Sequence, residues 1–274
     1  MPCSVAFGDR LGYFQAVMTD TVLLAVEGPR ATITLNDPAK HNRLDPAGLA
    51  LLRQAIERAD GDPDVRVTVL TGAGEKTFCS GYDLGSIPSG GAPRPADNEN
   101  SFEKVMDRLE AMRMPTLCAL NGGVYGGATD MALACDFRLG VKGMRFFMPA
   151  ARFGLHYYPS GLRRYTQKVS PSFAKRAFLL SEDFTDDDLL RVGYLDWLVE
   201  PAEFKAKVDE IAAKLAALAP LSMANMKRAI EQFAQAEPDI PGIREGIRQC
   251  QSSEDLREGL SALRERRAPA FKGR

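Results

Sequence analysis

Two glycine-rich turns constrain this sequence more than any other feature. Phe78-Cys79-Ser80-Gly81-Tyr82-Asp83-Leu84 and Asn121-Gly122-Gly123-Val124-Tyr125-Gly126-Gly127 each follow an apolar, strand-like run and lead into a helix-like pattern. A helix that starts at such a turn exposes backbone N–H groups that have no partner within the helix. Two turns of this kind that face each other predict two N–H donors for one developing negative oxygen, which is an oxyanion hole.

The composition is that of an ordinary globular chain. Its 274 residues are 45% hydrophobic and 26% charged, and the formal net charge is -1. The near-zero charge gives no reason to expect a nucleic acid or an anionic membrane as partner. We expect no membrane span, because no apolar stretch approaches about 18 residues, and no secretory signal. Five cysteines without a C-x-x-C pair suggest neither a disulfide framework nor a metal site, so we expect a cytoplasmic protein.

The order of the periodic patterns predicts an α/β core followed by helices alone. Strand-like and helix-like segments alternate over residues 21–200, after a variable extension over residues 1–20. The local signals predict a β-hairpin at Glu27-Gly28-Pro29-Arg30, helix caps at Asp45 and Thr185, a helix that restarts at Phe102, and core positions for Cys118 and Cys135. From Pro201 onwards, apolar residues recur only at helical spacing, which predicts an all-helical region over residues 201–274. A long polar loop is expected over residues 85–100, directly after the first glycine turn. No internal repeat is visible in the sequence.

Three glycine or serine motifs resemble known loops but lack residues that those loops need. In Gly72-Ala73-Gly74-Glu75-Lys76-Thr77, a glutamate stands where a phosphate loop has glycine before lysine, and its carboxylate would repel phosphate. Val124 stands where a dinucleotide fingerprint has its second glycine. Ser80 lies outside any G-x-S-x-G elbow and is expected to be a small turn residue.

The two turns and a C-terminal segment together resemble the crotonase superfamily, which is the enoyl-CoA hydratase/isomerase family. Residues 78–84 and 121–136 resemble the two oxyanion turns of that family, and residues 253–259 with 271–272 resemble its C-terminal signature. The resemblance implies a ββα spiral core, a helical trimerisation region, and a homotrimer or dimer of trimers. It also implies an acyl-CoA thioester substrate, with coenzyme A as part of the substrate and no tightly bound cofactor or metal.

By motif position, the resemblance makes the backbone N–H groups of Tyr82 and Gly127 the oxyanion donors. Hydratases of this family hold water between two glutamates, and the matching positions here are Asp130 and Ala150. Since alanine cannot move a proton, a two-glutamate hydration loses one partner. We therefore expect a lyase or isomerase that acts through a thioester enolate, with Asp130 as the remaining acid or base, and not a standard two-glutamate hydratase.

The segment after Ala150 leaves two alternatives open. His156, Tyr157 and Tyr158 stand where the family has a small glycine-rich loop, and they supply one near-neutral base and two phenols. Tyr157 falls near a tyrosine of the superfamily's methylmalonyl-CoA decarboxylases. The first alternative is a decarboxylase or hydrolase that uses His156 or Tyr157, and the second is a CoA-thioester-binding protein with little catalysis. Packing is the competing interpretation of these rings, above all for Tyr158.

Four polar residues are candidates for binding coenzyme A. Lys40, Asn42 and Arg43 lie in the segment that resembles the family's CoA-proximal loop. Arg266 falls where the family often has a lysine that reaches the ligand of a neighbouring subunit. Solvated surface charge is the competing interpretation for the three cations among them.

Overall fold

The computed structural model describes residues 21–86 and 98–274. The predicted extension over residues 1–20 and most of the predicted loop over residues 85–100 therefore lie outside the described residues. The strands are β1 (Val22–Glu27), β2 (Arg30–Leu35), β3 (Val67–Gly72), β4 (Thr77–Cys79), β5 (Thr116–Leu120), β6 (Gly123–Tyr125), β7 (Phe137–Val141), β8 (Arg145–Phe147), β9 (Phe184–Thr185) and β10 (Trp197–Val199). The helices are α1 (Pro46–Gly61), α2 (Phe102–Glu110), α3 (Gly127–Ala134), α4 (Pro159–Lys168), α5 (Pro171–Leu179), α6 (Asp186–Arg191), α7 (Pro201–Ala216), α8 (Pro220–Ala234), α9 (Ile240–Ser252) and α10 (Glu254–Glu265), with 3-10 turns at Pro38–Lys40, Leu84–Ser86 and Ala150–Phe153.

The strands of the described residues form two sheets. The larger sheet has the order β1-β2-β3-β5-β7-β10, and it is parallel except for the β1–β2 hairpin that the sequence predicts. The smaller sheet has the order β4-β6-β8-β9, and its first three strands are parallel. The consecutive pairs β3/β4, β5/β6 and β7/β8 each give one strand to each sheet. This structural repeat has no counterpart in sequence similarity.

Several helices begin at the caps that the sequence predicts. Asp45 directly precedes Pro46, the first residue of α1, and its side chain accepts a hydrogen bond from the Gly48 N–H at 2.8 Å. Thr185 and Asp188 form a reciprocal capping box at the start of α6. Each of these side chains satisfies a backbone N–H that the first turn of a helix leaves without a partner.

The larger sheet is covered on both faces. One hydrophobic cluster joins the two sheets to α1, α2 and α3 and includes the predicted core residues Cys118 and Cys135. A second cluster packs α7 against the other face, where Val208 and Ile211 meet Val67 and Val69 of β3. Burial on both faces explains why the strands read as continuous apolar runs.

The predicted fold class, an α/β core with an all-helical C-terminal part, is confirmed. After β10 the chain forms only helices, α7 to α10, and these helices leave large apolar side chains exposed at Met226, Ile230, Phe233, Ile240, Ile247, Leu256, Leu260 and Leu263. None of the helices in the described ranges has the length and apolar content of a membrane span.

The parallel pairing of β4 and β6 brings the two glycine turns together. Cys79 of β4 lies opposite Val124 of β6, so both strands leave the smaller sheet at the same edge. Gly81 has φ +89°, and a Cβ atom there would lie 2.8 Å from the Gly127 nitrogen and 2.8 Å from the Tyr125 carbonyl oxygen. The two turns therefore touch through backbone atoms, and only glycine fits at Gly81.

This contact predicts an unequal response to alanine at two glycines with positive φ. Gly28 also has positive φ, at +56°, but a Cβ atom there would meet nothing within 4 Å. We expect Gly28→Ala to lower the free energy of unfolding by about 1 kcal/mol, from backbone strain alone. Gly81→Ala should cost clearly more, because it adds overlap with two backbone atoms. Urea unfolding measures both values, and equal losses would contradict the close approach.

Candidate active site

The first glycine turn is fixed in place by the segment before α1. The Ser80 N–H donates to the His41 carbonyl at 2.9 Å, and the Leu44 N–H donates to the Gly81 carbonyl at 2.9 Å. The Asp83 N–H donates back to the Leu44 carbonyl at 2.8 Å, so Leu44 and Tyr82 form a parallel bridge. The backbone around Tyr82 is therefore held on one side by Leu44 while Gly81 abuts Gly127 on the other.

The second turn presents the start of α3. Gly126 has φ +55° and precedes Gly127, the first residue of the helix. The Gly126 N–H donates to the Phe147 carbonyl at 2.9 Å, and this bond ties the turn to β8. The first N–H groups of a helix point outward along its axis and attract negative charge. Two backbone segments with the predicted donor positions thus lie side by side.

Asp130 lies inside the core and is paired there. Arg164 Nε donates to Asp130 Oδ1 at 2.9 Å, and Arg164 Nη2 donates to Oδ2 at 2.7 Å. The hydroxyl of Tyr158 donates to the same Oδ2. Both side chains of the ion pair are 0% exposed. This geometry argues against the expected role of Asp130 as an accessible acid or base, because its oxygens are engaged within the protein.

Arg164 is the centre of a larger ionic network. Its Nη1 lies 3.0 Å from Asp107 Oδ1 and 3.1 Å from Glu110 Oε2, both on α2. Glu110 also pairs with Arg163 and with Lys168. Burial acts to raise the pKa of Glu110, but the hydrogen bond from Arg163 and the neighbouring positive charges hold it below its usual value. The network joins α2, α3 and α4.

The two tyrosines of the loop before α4 form a stacked pair. The rings of Tyr157 and Tyr158 lie 4.3 Å apart between centroids, and the Tyr157 hydroxyl donates to the Tyr158 hydroxyl at 3.3 Å. Burial raises the pKa of both phenols well above the usual tyrosine value, and the Asp130 charge raises that of Tyr158 further. Both phenols are therefore neutral at physiological pH.

His156 does not join the hydrogen bonds between Tyr157, Tyr158 and Asp130. Its side chain is exposed, and its Nδ1 lies 2.8 Å from the carbonyl oxygen of Tyr157. Ala150 is buried and starts a 3-10 turn, so no carboxylate occupies the second proton-transfer position. The three residues predicted to handle protons are Asp130, His156 and Tyr157. The structure connects Tyr157 to Asp130 through the Tyr158 hydroxyl, whereas His156 is exposed and lies outside this chain of hydrogen bonds.

Comparison with known proteins agrees with this architecture. The model of the enoyl-CoA hydratase/isomerase family matches residues 28–274. The chain belongs to this family. It is similar to (E)-benzylidenesuccinyl-CoA hydratase of Thauera aromatica, with 33% identity over 92% of this chain and 99% of that protein. Short-chain-enoyl-CoA hydratase of Clostridium acetobutylicum is 30% identical over 93% and 99%. The crystal structure of an enoyl-CoA hydratase/carnithine racemase from Magnetospirillum magneticum has a TM-score of 0.87, with 27% identity over 93% and 97% of the two chains.

The four candidates for coenzyme A binding in this enoyl-CoA hydratase/isomerase family member differ in exposure, and the three cations are the exposed ones. Lys40 is exposed, and its Nζ lies 3.8 Å from Asp37. Arg43 is also exposed and pairs with Asp83 at 3.1 Å, beside the first glycine turn. Arg266 is exposed in a left-handed conformation at the end of α10. These three cations are accessible to an anionic ligand.

Asn42, unlike the three cations, is buried and bonds to the backbone of the protein. It is 1% exposed, and its Nδ2 lies within 2.9–3.1 Å of the carbonyl oxygens of Ala73, Thr77 and Phe78. Its Oδ1 accepts from the Asp37 N–H at 3.0 Å. The side chain therefore clamps the loop before α1 to β4, and its amide is occupied by the protein.

Sequence reasoning missed Arg164, assigned Tyr158 mainly to packing, and gave Phe102 only a helical position. The available signal was the spacing of Gly161, Arg164 and Tyr165, which is that of one helix face and is buried in the structure. An arginine on an apolar face needs a carboxylate partner, and Asp130 was the acid already singled out. Within the described ranges, no group of three or more His, Cys, Asp or Glu side chains could hold a metal ion.

The Asn42 clamp predicts a stability difference between two substitutions. Asn42→Asp would place a carboxylate oxygen against three carbonyl oxygens, and we expect it to lower the free energy of unfolding by about 3 kcal/mol. Asn42→Gly removes the side chain but suits the positive φ of 54° at this position. The glycine variant should therefore be the more stable of the two in urea unfolding at neutral pH. An aspartate variant as stable as the parent protein would disprove the clamp.

Proposed function

We propose that this protein is an acyl-CoA-processing lyase or isomerase that stabilises a thioester enolate. The observation that carries the proposal is the backbone contact between the two glycine turns at Gly81 and Gly127. The N–H groups of Tyr82 and Gly127 are the proposed oxyanion donors. Chemistry next to a thioester carbonyl places negative charge on its oxygen, and each aimed donor is worth about 3 kcal/mol by comparison with other oxyanion holes.

The substrate class is supported by the relatives. The enzymes named above are named for CoA thioesters, and they match this chain over nearly its whole length. Lys40 and Arg43 are the proposed contacts for the CoA phosphates from the same subunit, and Arg266 for the ligand of a neighbouring subunit. Coenzyme A enters as part of the substrate in this proposal.

The reaction subtype follows from the proton-handling half of the site. A two-glutamate hydration has little support, because Ala150 carries no acid and Asp130 is paired with Arg164. A decarboxylase or hydrolase that uses His156 has less support than an addition–elimination lyase, since that ring is exposed and contacts the carbonyl of Tyr157. A lyase of the addition–elimination type fits the site best, with a polar group other than Asp130 or His156 in contact with the substrate.

The oxyanion proposal predicts a specific difference at Gly127. A Cβ atom there would lie 2.7 Å from Phe102 Cζ, so alanine and proline press on the same ring. Proline also removes the N–H, and the first position of a helix tolerates it. We expect Gly127→Pro to lower kcat by a further 10²–10³-fold, roughly, relative to Gly127→Ala.

The measurement starts with the parent protein. Mass spectrometry of purified protein with enoyl-, 3-hydroxyacyl-, malonyl- and β-ketoacyl-CoA identifies the substrate that is turned over, and both variants are then assayed on it. Circular dichroism confirms that they fold. Absence of turnover across the panel would favour the alternative of a CoA-thioester-binding protein, and equal kcat values in the two variants would refute the donor assignment.

A homotrimer or a dimer of trimers is part of the proposal. The exposed apolar side chains of α8, α9 and α10 support it, because such a face is costly in water.

Leu263 is 75% exposed, so Leu263→Asp should leave the subunit folded and dissociate the oligomer. Leu180→Asp, at a leucine that is 70% exposed outside these helices, is the matched control and should keep the assembly of the parent protein. Light scattering on a sizing column reads both masses in multiples of the 29.9 kDa chain, and a monomeric parent protein would contradict the proposal.

A further inference from the structure

We propose that the hydroxyl of Tyr158 binds the water that is added to, or eliminated from, the acyl group, and that Arg164 positions this hydroxyl through Asp130. The inference rests on the proposed function and deepens it. It assigns the reaction to the hydro-lyase class and the water site to a tyrosine, in a chain that lacks the second carboxylate. In the addition direction, the water oxygen bonds to the β-carbon of a conjugated acyl group while the C=C electron pair moves onto the thioester oxygen. The proton that the added water loses passes to the α-carbon as the enolate collapses, so one whole water is added, and elimination is the reverse.

The Tyr158 hydroxyl is linked through Asp130 to the helix that starts at Gly127, one of the proposed oxyanion donors. Asp130, its hydrogen-bond partner, follows Gly127 by three residues on α3, which puts the two on neighbouring turns about 5 Å apart. The ring of Phe102 covers Gly127 and lies 6.3 Å from the Tyr158 ring and 6.4 Å from the Tyr82 ring, between centroids. The Phe102 ring that covers Gly127 therefore also contacts the rings of Tyr82 and Tyr158.

The direction of the hydrogen bonds makes the Tyr158 oxygen an acceptor. Its proton is donated to the Asp130 carboxylate, and this bond leaves the phenol oxygen more electron-rich. The 3.3 Å contact from the Tyr157 hydroxyl uses one lone pair, and the second remains for a water O–H. A neutral phenol that is hydrogen-bonded to a buried carboxylate can thus orient a water without carrying a charge itself.

Arg164 supplies the rigidity that such an orientation needs. Its planar guanidinium binds both oxygens of Asp130, while Asp107 and Glu110 hold its third nitrogen from α2. Two parallel N–H bonds fix the plane of the carboxylate, and with it the position of the Tyr158 hydroxyl. Lysine would balance the charge without fixing that plane.

The neighbouring candidates fit this role less well. The Tyr157 ring packs against Phe178 at 4.9 Å and against Tyr165 at 6.4 Å, between centroids, and its hydroxyl is directed to Tyr158. His156 is exposed and contacts the carbonyl of Tyr157. Both tyrosines are half-buried, and Tyr158 is the one whose hydroxyl is in direct contact with Asp130.

The first test removes one hydroxyl. Tyr158→Phe keeps the ring pair with Tyr157, and we expect kcat on the substrate found above to fall on the order of 10²-fold with a smaller change in KM. Tyr165→Phe is the matched control, because it removes a phenol that bonds to Thr129 in the same aromatic cluster. That control should lower the melting temperature but keep kcat at a temperature where both variants are folded.

Three outcomes overturn the assignment while the proposed function stands. The first is a Tyr158→Phe variant with the kcat of the parent protein. The second is a Tyr157→Phe variant that loses more activity than Tyr158→Phe. The third is an enoyl-CoA substrate whose hydrated product gains no label when the parent enzyme works in heavy-oxygen water, because addition of water must transfer that oxygen to the acyl group. Failure of the parent protein on every acyl-CoA is a different result and defeats the proposed function itself.

The positioning role of Arg164 has its own test. Arg164→Lys should lower kcat more than it raises KM, and an unchanged kcat would overturn the role. Because this variant replaces a fully buried side chain, Asp130→Asn provides a second measurement. Combined with Tyr158→Phe in a double-mutant cycle, its loss in kcat should be far from multiplicative. Independent, multiplicative losses would show that Asp130 does not act through Tyr158.

Discussion

The backbone contact between Gly81 and Gly127 is the constraint on which the rest of this site depends. It requires β4 and β6 to leave the smaller sheet side by side, and it leaves no room for a side chain at Gly81. The repeated placement of strand pairs in two sheets provides that geometry. Because the proposed donors are backbone N–H groups, their positions are as rigid as the sheet edge and the helix start that carry them.

The second constraint is the buried ion pair between Asp130 and Arg164. A charge in the core is tolerated only with a partner, and loss of one partner of such a pair costs about 3–5 kcal/mol. The pair therefore ties α3 to α4, and through Asp107 and Glu110 also to α2. The same contacts that stabilise the fold hold the Tyr158 hydroxyl against Asp130, about one helical turn from Gly127, so stability and site geometry share one network.

Local signals in the sequence identified much of the fold. The caps at Asp45 and Thr185, the β1–β2 hairpin and the helical stripe after Pro201 all depend on residues that are near each other in the chain, and these predictions are confirmed. The strand repeat was not visible, because it resides in the pairing between distant strands. The role of Arg164 was missed for the same reason, since its partners lie on α2 and α3.

The sequence by itself determined the family, the two glycine turns and the absence of a carboxylate at Ala150, because motifs and residue identities are local properties. The tertiary structure decided what surrounds the remaining acid. Only packing shows that Asp130 is 0% exposed and paired with Arg164, and that the Asn42 amide donates to backbone carbonyls. It also shows that His156 is exposed and contacts the carbonyl of Tyr157. Burial and hydrogen-bond direction arise from contacts between distant segments, and the chemistry of a carboxylate or phenol depends on both.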